Sequence, residues 1–176
     1  NIEKTVSVPM NGILMNLAQL LRLRGGPQDL PATWPLTFLL LTLYMLQNLI
    51  TGQQLQDENA GVKSLLSVCL QIGVLTGLLF WRKHPERFAQ TLSALAAAGV
   101  FFNFISWGLL SLSDPAVNQP MLALIWFAVF IWSLLVDAHI YRHALTVPFA
   151  VGMLVTVLLL AASYVLVEML FLLGIL

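Results

Sequence analysis

The chain has 176 residues, of which 59% are hydrophobic and only 9% charged, with eight Lys and Arg against eight Asp and Glu. Soluble domains carry about 25% charged residues, and a fold of this size has no interior large enough for so much apolar surface, so the composition excludes a soluble module and calls for lipid. The balanced charge leaves no basic or acidic tail for nucleic acid. The single cysteine, Cys69, excludes a disulfide framework or a cysteine metal cluster.

Residues 1–9 are polar and lack the apolar core and small-residue cleavage pattern of a secretory leader. The first residue is Asn, so Met10 and Met15 are read as candidate starts. Residues 10–24 place Ile13, Leu14, Leu17, Leu20 and Leu21 at helical spacing, and Gly25-Gly26-Pro27 stops the pattern. This predicts a short amphipathic helix. Two settings suit it: the membrane interface, with Arg22 and Arg24 on anionic headgroups, or a cap on the bundle held by protein contacts. Trp34 falls where an interfacial aromatic anchor belongs.

Five apolar runs follow. The first, residues 35–51, is uncharged but near the short limit for a bilayer core of about 30 Å. Were it re-entrant or interfacial, four spans would remain. A polar loop over residues 52–61, with Asp57 and Glu58, leads to the second span at residues 62–81. Here Cys69, Gly73 and Gly77 put a small residue at every fourth position. Gly73 and Gly77 form a GxxxG pattern that admits another helix backbone. Residues 82–87, Arg-Lys-His-Pro-Glu-Arg, are the strongest basic cluster. The third span, residues 88–112, carries Ala89, Ser93 and Ala97 at the same spacing, so Ser93 and Ala97 are expected to pack on Gly73 and Gly77. After a turn at residues 113–120, the fourth span covers residues 121–136, rich in aromatics. A polar stretch at residues 137–143 precedes the fifth span at residues 144–167, and Glu168 separates that span from an apolar tail.

Charge sets the orientation. With the N-terminus inside, Lys4, Arg22, Arg24, Arg82, Lys83, Arg87 and Arg142 are cytoplasmic and only Lys63 is outside, as the positive-inside rule requires. The expected fold is therefore all-α: a five-helix membrane bundle at residues 35–176 behind a cytoplasmic segment at residues 1–34. Its expected place is a bacterial inner membrane, with the C-terminus periplasmic.

Three residue sets bear on chemistry. His139 and His143, four apart, share a helical face, and His84 lies in the other basic loop. Such a pair can ligate a metal or haem, but at span ends these histidines are expected to be interfacial, so no cofactor is assigned. Gln71 and Asn103 fall inside spans, where amides need partners. They are read as interhelical glue, with a substrate-lining role as the alternative. Glu168 and Asp137 sit at span ends. Glu168 is the more interesting carboxylate, because an apolar run after it would draw it toward the bilayer. No GxSxG, phosphate loop, HExxH or paired acid motif is present, so no enzyme activity is assigned.

The plan of a short cytoplasmic N-terminus, five closely spaced spans and small loops over residues 35–176 resembles the bacterial Yip1-like group. That resemblance implies a polytopic protein acting through membrane partners, with no catalytic residues to carry over. The leading expectation is a non-enzymatic accessory or assembly subunit of a membrane complex, in contact with lipids and other subunits. A small transporter or channel component lined by Gln71, Asn103 and Glu168, or a haem- or metal-binding subunit, are the alternatives.

Overall fold

In a computed structural model, residues 10–31, 33–54, 59–114 and 117–172 are described, and every regular element among them is helical. A short helix α1 (Met10–Leu21) precedes five long ones: α2 (Trp34–Gln54), α3 (Ala60–Trp81), α4 (Phe88–Ser111), α5 (Pro120–Leu145) and α6 (Phe149–Leu172). All five are long and apolar enough to cross a membrane. Lys4, Asp57, Glu58 and residues 173–176 lie outside the described residues.

Local chemistry sets the helix ends. Pro120 opens α5, where its missing N–H costs nothing. Thr146 closes α5 in the left-handed region at φ 51°, with its N–H bonded to the Arg142 carbonyl. Lys83 ends α3 in the same way at φ 60°. A β-branched residue at positive φ is strained, so contacts beyond the turn itself must hold Thr146 there.

The extensive contacts run α2–α4, α4–α5, α5–α6, α6–α3 and α3–α2. That order closes a five-helix ring, with α3 touching α4 only lightly although the two are consecutive. The closest approach is α5 on α6: a Cβ placed on Gly152 would lie 2.3 Å from the Ala138 carbonyl oxygen. Between α2 and α4 the seam is polar as well as small, since the Thr37 and Ser93 hydroxyls, both fully buried, lie 2.6 Å apart. Phe101 and Phe102 of α4 meet Trp132 of α5 edge-on, with centroids 5.7 and 5.1 Å apart. The outward faces carry many exposed apolar side chains, among them Phe38, Met121, Phe127, Leu154 and Leu158, as lipid-facing residues should be.

Several boundaries differ from the sequence reading. The first span is 21 residues as α2, so it is not short. The fourth runs nine residues beyond 136, because residues 137–143 stay helical within α5. The fifth starts at Phe149 and passes through Glu168 to Leu172. The packing partner also changes. Ser93 and Ala97 are buried, but against α2, whereas nothing lies within 4 Å of a Cβ placed on Gly73 or Gly77. The GxxxG face of α3 points out of the ring.

Helix α1 lies against α4 and α5, with Leu20 and Leu21 buried. The chain after it is pinned to α5 at two points. The Trp132 indole N–H donates to the Leu21 carbonyl (2.9 Å), and the His139 ring donates through Nε2 to the Gly25 carbonyl (2.7 Å). Protein contacts therefore seat this helix.

Candidate functional site: a polar cavity inside the ring

The ring is not filled with apolar side chains. Along α5, Ser133, Asp137 and Tyr141 recur every four residues and so share one face. That face looks into the bundle, where α3 presents Ser67 and Gln71, α2 presents Tyr44 and α4 presents Asn103. The result is two adjoining chambers. One, of about 180 Å³, lies among α2, α3, α4 and α5 and is lined by Tyr44, Gln71, Asn103, Ser133 and Asp137 among apolar neighbours. The other, of about 260 Å³, lies toward α6 and adds Ser67, Tyr141, Thr156 and Ser163. Tyr44, Val68, Gln71 and Asp137 line both chambers and so form the partition between them. Each space has the size and the polar lining to hold several waters.

A glycine makes the partition possible. A Cβ on Gly99 would lie 2.8 Å from two ring carbons of Tyr44. Without that side chain, the Tyr44 ring slides over the α4 backbone into the centre of the ring.

Asp137 lies eight residues before the end of α5, or about 12 Å along the axis at 1.5 Å per residue. Both chambers reach it, so it is partly accessible, and only to the cavity. Among the described residues, no Lys, Arg or His lines either chamber, and the Asp137 carboxylate has no ion pair or hydrogen bond. One neighbour is equally unsatisfied: Asn103 Nδ2 is buried without a hydrogen-bond partner among the described residues. Buried polar atoms without partners are rare and call for an explanation.

Gln71 and Asn103 thus do come together, on the wall of the first chamber. Gln71 reaches across to Tyr141 of α5, whereas Asn103 Nδ2 has no hydrogen-bond partner among the described residues. Glu168 stands apart. It pairs with Lys63 across the α3–α6 seam at 3.8 Å, both side chains partly exposed, at the end of the bundle opposite the arginines. Asp137, placed by sequence reasoning at a span end, is the carboxylate inside the ring. The spacing of Ser133, Asp137 and Tyr141 was the signal that could have shown it.

The histidines are committed elsewhere. His139 is bound to Gly25, its ring edge-on to His143 at 4.5 Å, and His84 Nδ1 lies 3.1 Å from Glu86. Among the described residues, no three or more His, Cys, Asp or Glu gather where they could hold a metal ion.

The basic cluster has a structural role that the sequence did not disclose. Arg82 Nε donates to the Leu145 carbonyl (3.2 Å) and Nη2 to that of Thr146 (3.5 Å). Arg87 Nη1 donates to the carbonyls of His143 (3.2 Å) and Ala144 (3.3 Å). The last carbonyls of a helix lack intrahelical donors and carry its negative dipole end. Two guanidinium groups from the α3–α4 turn satisfy both needs, and they hold Thr146 in its strained conformation.

The chain matches no protein-family model, no curated protein and no solved structure.

Proposed function

We propose that this chain is a small transporter or channel component that receives a polar solute at the centre of its helix ring. One observation carries the reading: Asp137, Gln71, Asn103 and Tyr44, from four different helices, converge on a cavity large enough for water, and Asn103 Nδ2 has no hydrogen-bond partner there among the described residues. Polar groups inside a membrane protein are expensive, face cavities and mark solute pathways. A bundle with no binding role gains nothing from an unpaired carboxylate there. The test is filling of reconstituted vesicles by glycerol or methylammonium. Vesicles with wild-type protein should fill faster than empty ones, and Asn103→Leu should remove the difference. Equal rates with wild-type and empty vesicles overturn the proposal.

A second reading rests on α3. Its outward face carries Cys69, Gly73 and Gly77, all exposed, between Leu65 and Phe80, also exposed. Small residues let a foreign helix approach closely, which suits an accessory subunit of a membrane complex. If so, a subunit that co-purifies in mild detergent is lost from Gly77→Leu and retained by Gly108→Leu, a substitution at another glycine with nothing within 4 Å of its Cβ position.

We place the arginine end of the bundle in the cytoplasm of a bacterial inner membrane, following the distribution of Lys and Arg. Cysteines introduced at residues 82–87 and at 52–61 should label from opposite sides of the membrane.

A further inference from the structure

We infer that Asp137 is an exchange site at which one monovalent cation and one proton replace each other; the inference rests on the solute-binding reading of the same cavity. It begins with charge balance. Among the described residues, Asp137 is the only formally charged group lining either chamber. An ionised carboxylate without a counter-charge in an apolar bundle carries a large solvation penalty and is neutralised instead. Two neutral states are open to it. In one the carboxyl holds a proton. In the other a cation sits beside the carboxylate. The two states use the same oxygen atoms and exclude one another.

The lining selects the cation's charge and type. A single negative group balances a monovalent ion, whereas a divalent ion leaves a net positive charge in the same apolar surroundings. The available donors are hard oxygens: the Asp137 carboxylate, the Tyr44 and Tyr141 hydroxyls, the amide oxygens of Gln71 and Asn103, and Ser133. Oxygen sets of this kind suit alkali ions and small ammonium ions and offer nothing to a soft metal. The unpartnered Asn103 Nδ2 then has a role. Waters that enter with the ion accept from it.

Among the described residues, no other charge competes in the cavity. The titratable groups that face Asp137 are Tyr44 from α2 and Tyr141 from its own helix. The α3 wall offers Ser67 and Gln71, α4 offers Asn103, and α6 offers Thr156 and Ser163. The exchange balances as written: the carboxylic acid and an aqueous cation give the carboxylate–cation pair and a proton that leaves to water.

The measurement is proton release. Purified full-length protein in weakly buffered nanodiscs receives sodium, potassium or methylammonium chloride. Tetrabutylammonium chloride at equal ionic strength is the control, too bulky for the chamber. At least one of the three small cations should release about one proton per chain at saturation, and its apparent affinity should fall roughly tenfold for each pH unit of acidification below the crossover. Asp137→Asn should release none, and Tyr44→Phe should weaken the cation while keeping the one-proton stoichiometry. A monodisperse elution profile for each variant guards against misfolding. No proton release from wild type with any of the three cations overturns the inference, as does equal release from Asp137→Asn. If vesicle filling still depends on Asn103 in that case, the solute-binding reading survives alone. If neither signal appears, both fall.

Discussion

The arginine end of the bundle and its interior treat polar groups in opposite ways. At the arginine end, Arg82 and Arg87 saturate four carbonyls of the α5 terminus, His139 holds Gly25 and Trp132 holds Leu21. Each group has a partner, and the turn at Thr146 tolerates positive φ because of it. Inside the ring, Asp137 and Asn103 Nδ2 have none among the described residues. Polarity at one place holds the fold together, and at the other it is left available. Substitutions at the arginine end should therefore cost stability, and those in the cavity should cost function while leaving stability intact.

The largest expected loss comes from Gly152→Val. Its Cβ would lie 2.3 Å from a backbone oxygen of α5 and 3.1 Å from the Arg142 nitrogen, and backbone cannot swing aside as a side chain can. Overpacking typically costs 1–3 kcal/mol, and this site should reach about 3 kcal/mol or more in reversible unfolding by SDS. A loss under about 1 kcal/mol would mean that α5 and α6 are not in backbone contact. Arg87→Met comes next. It keeps the length of the side chain but strips donors from two helix-end carbonyls, and hydrogen bonds to a charged group contribute about 1.5–3 kcal/mol each way. About 2 kcal/mol of destabilisation is expected once water reaches the freed carbonyls, since the group is only half-buried. His139→Leu follows, at about 1–2 kcal/mol, from the unpaired Gly25 carbonyl in a buried contact.

Against these stands Asp137→Asn. It is nearly isosteric with the neutral carboxyl group and breaks no bond the structure contains, so stability should hold or rise by up to about 1 kcal/mol. Destabilisation of 2 kcal/mol or more would show a structural partner for the carboxylate and would dissolve the contrast between the two regions.

The sequence made the bundle legible because apolar length alone specifies membrane helices. It misplaced the interior because hydropathy reads the one-dimensional run of residues 137–143 as a break, although in three dimensions His139 and Tyr141 are buried and Asp137 faces the cavity. The i, i+4, i+8 row of Ser133, Asp137 and Tyr141 was the available clue, and a helix-face reading would have turned it inward. The pairing of α4 with α2 in place of α3 was not legible. A small-residue stripe says that a helix can approach closely, but not which helix does, and α3 and α4 carry the same pattern. The buried Thr37–Ser93 contact favours α2 over α3, and a hydroxyl pair of that kind leaves no periodic trace in sequence. The arginine caps were hidden for a similar reason, since a basic loop reads as topology until the carbonyls it meets are seen.

The smallest effect belongs to Gly73→Leu. Nothing stands within 4 Å of a Cβ there, so the isolated chain should keep its stability within about 0.5 kcal/mol, as surface substitutions do, with a small gain possible because leucine is a better helix former than glycine. The same substitution fills the outward groove of α3, and a helix that docks there in a native membrane would be displaced. Stability in detergent therefore reports on the ring, and association in the native membrane reports on the face outside it. If Gly73→Leu unfolds the purified chain, α3 packs inside the ring through its glycines after all. If it changes neither stability nor association, the glycine face is lipid-exposed surface, and the polar cavity is the only feature of the bundle left to account for its function.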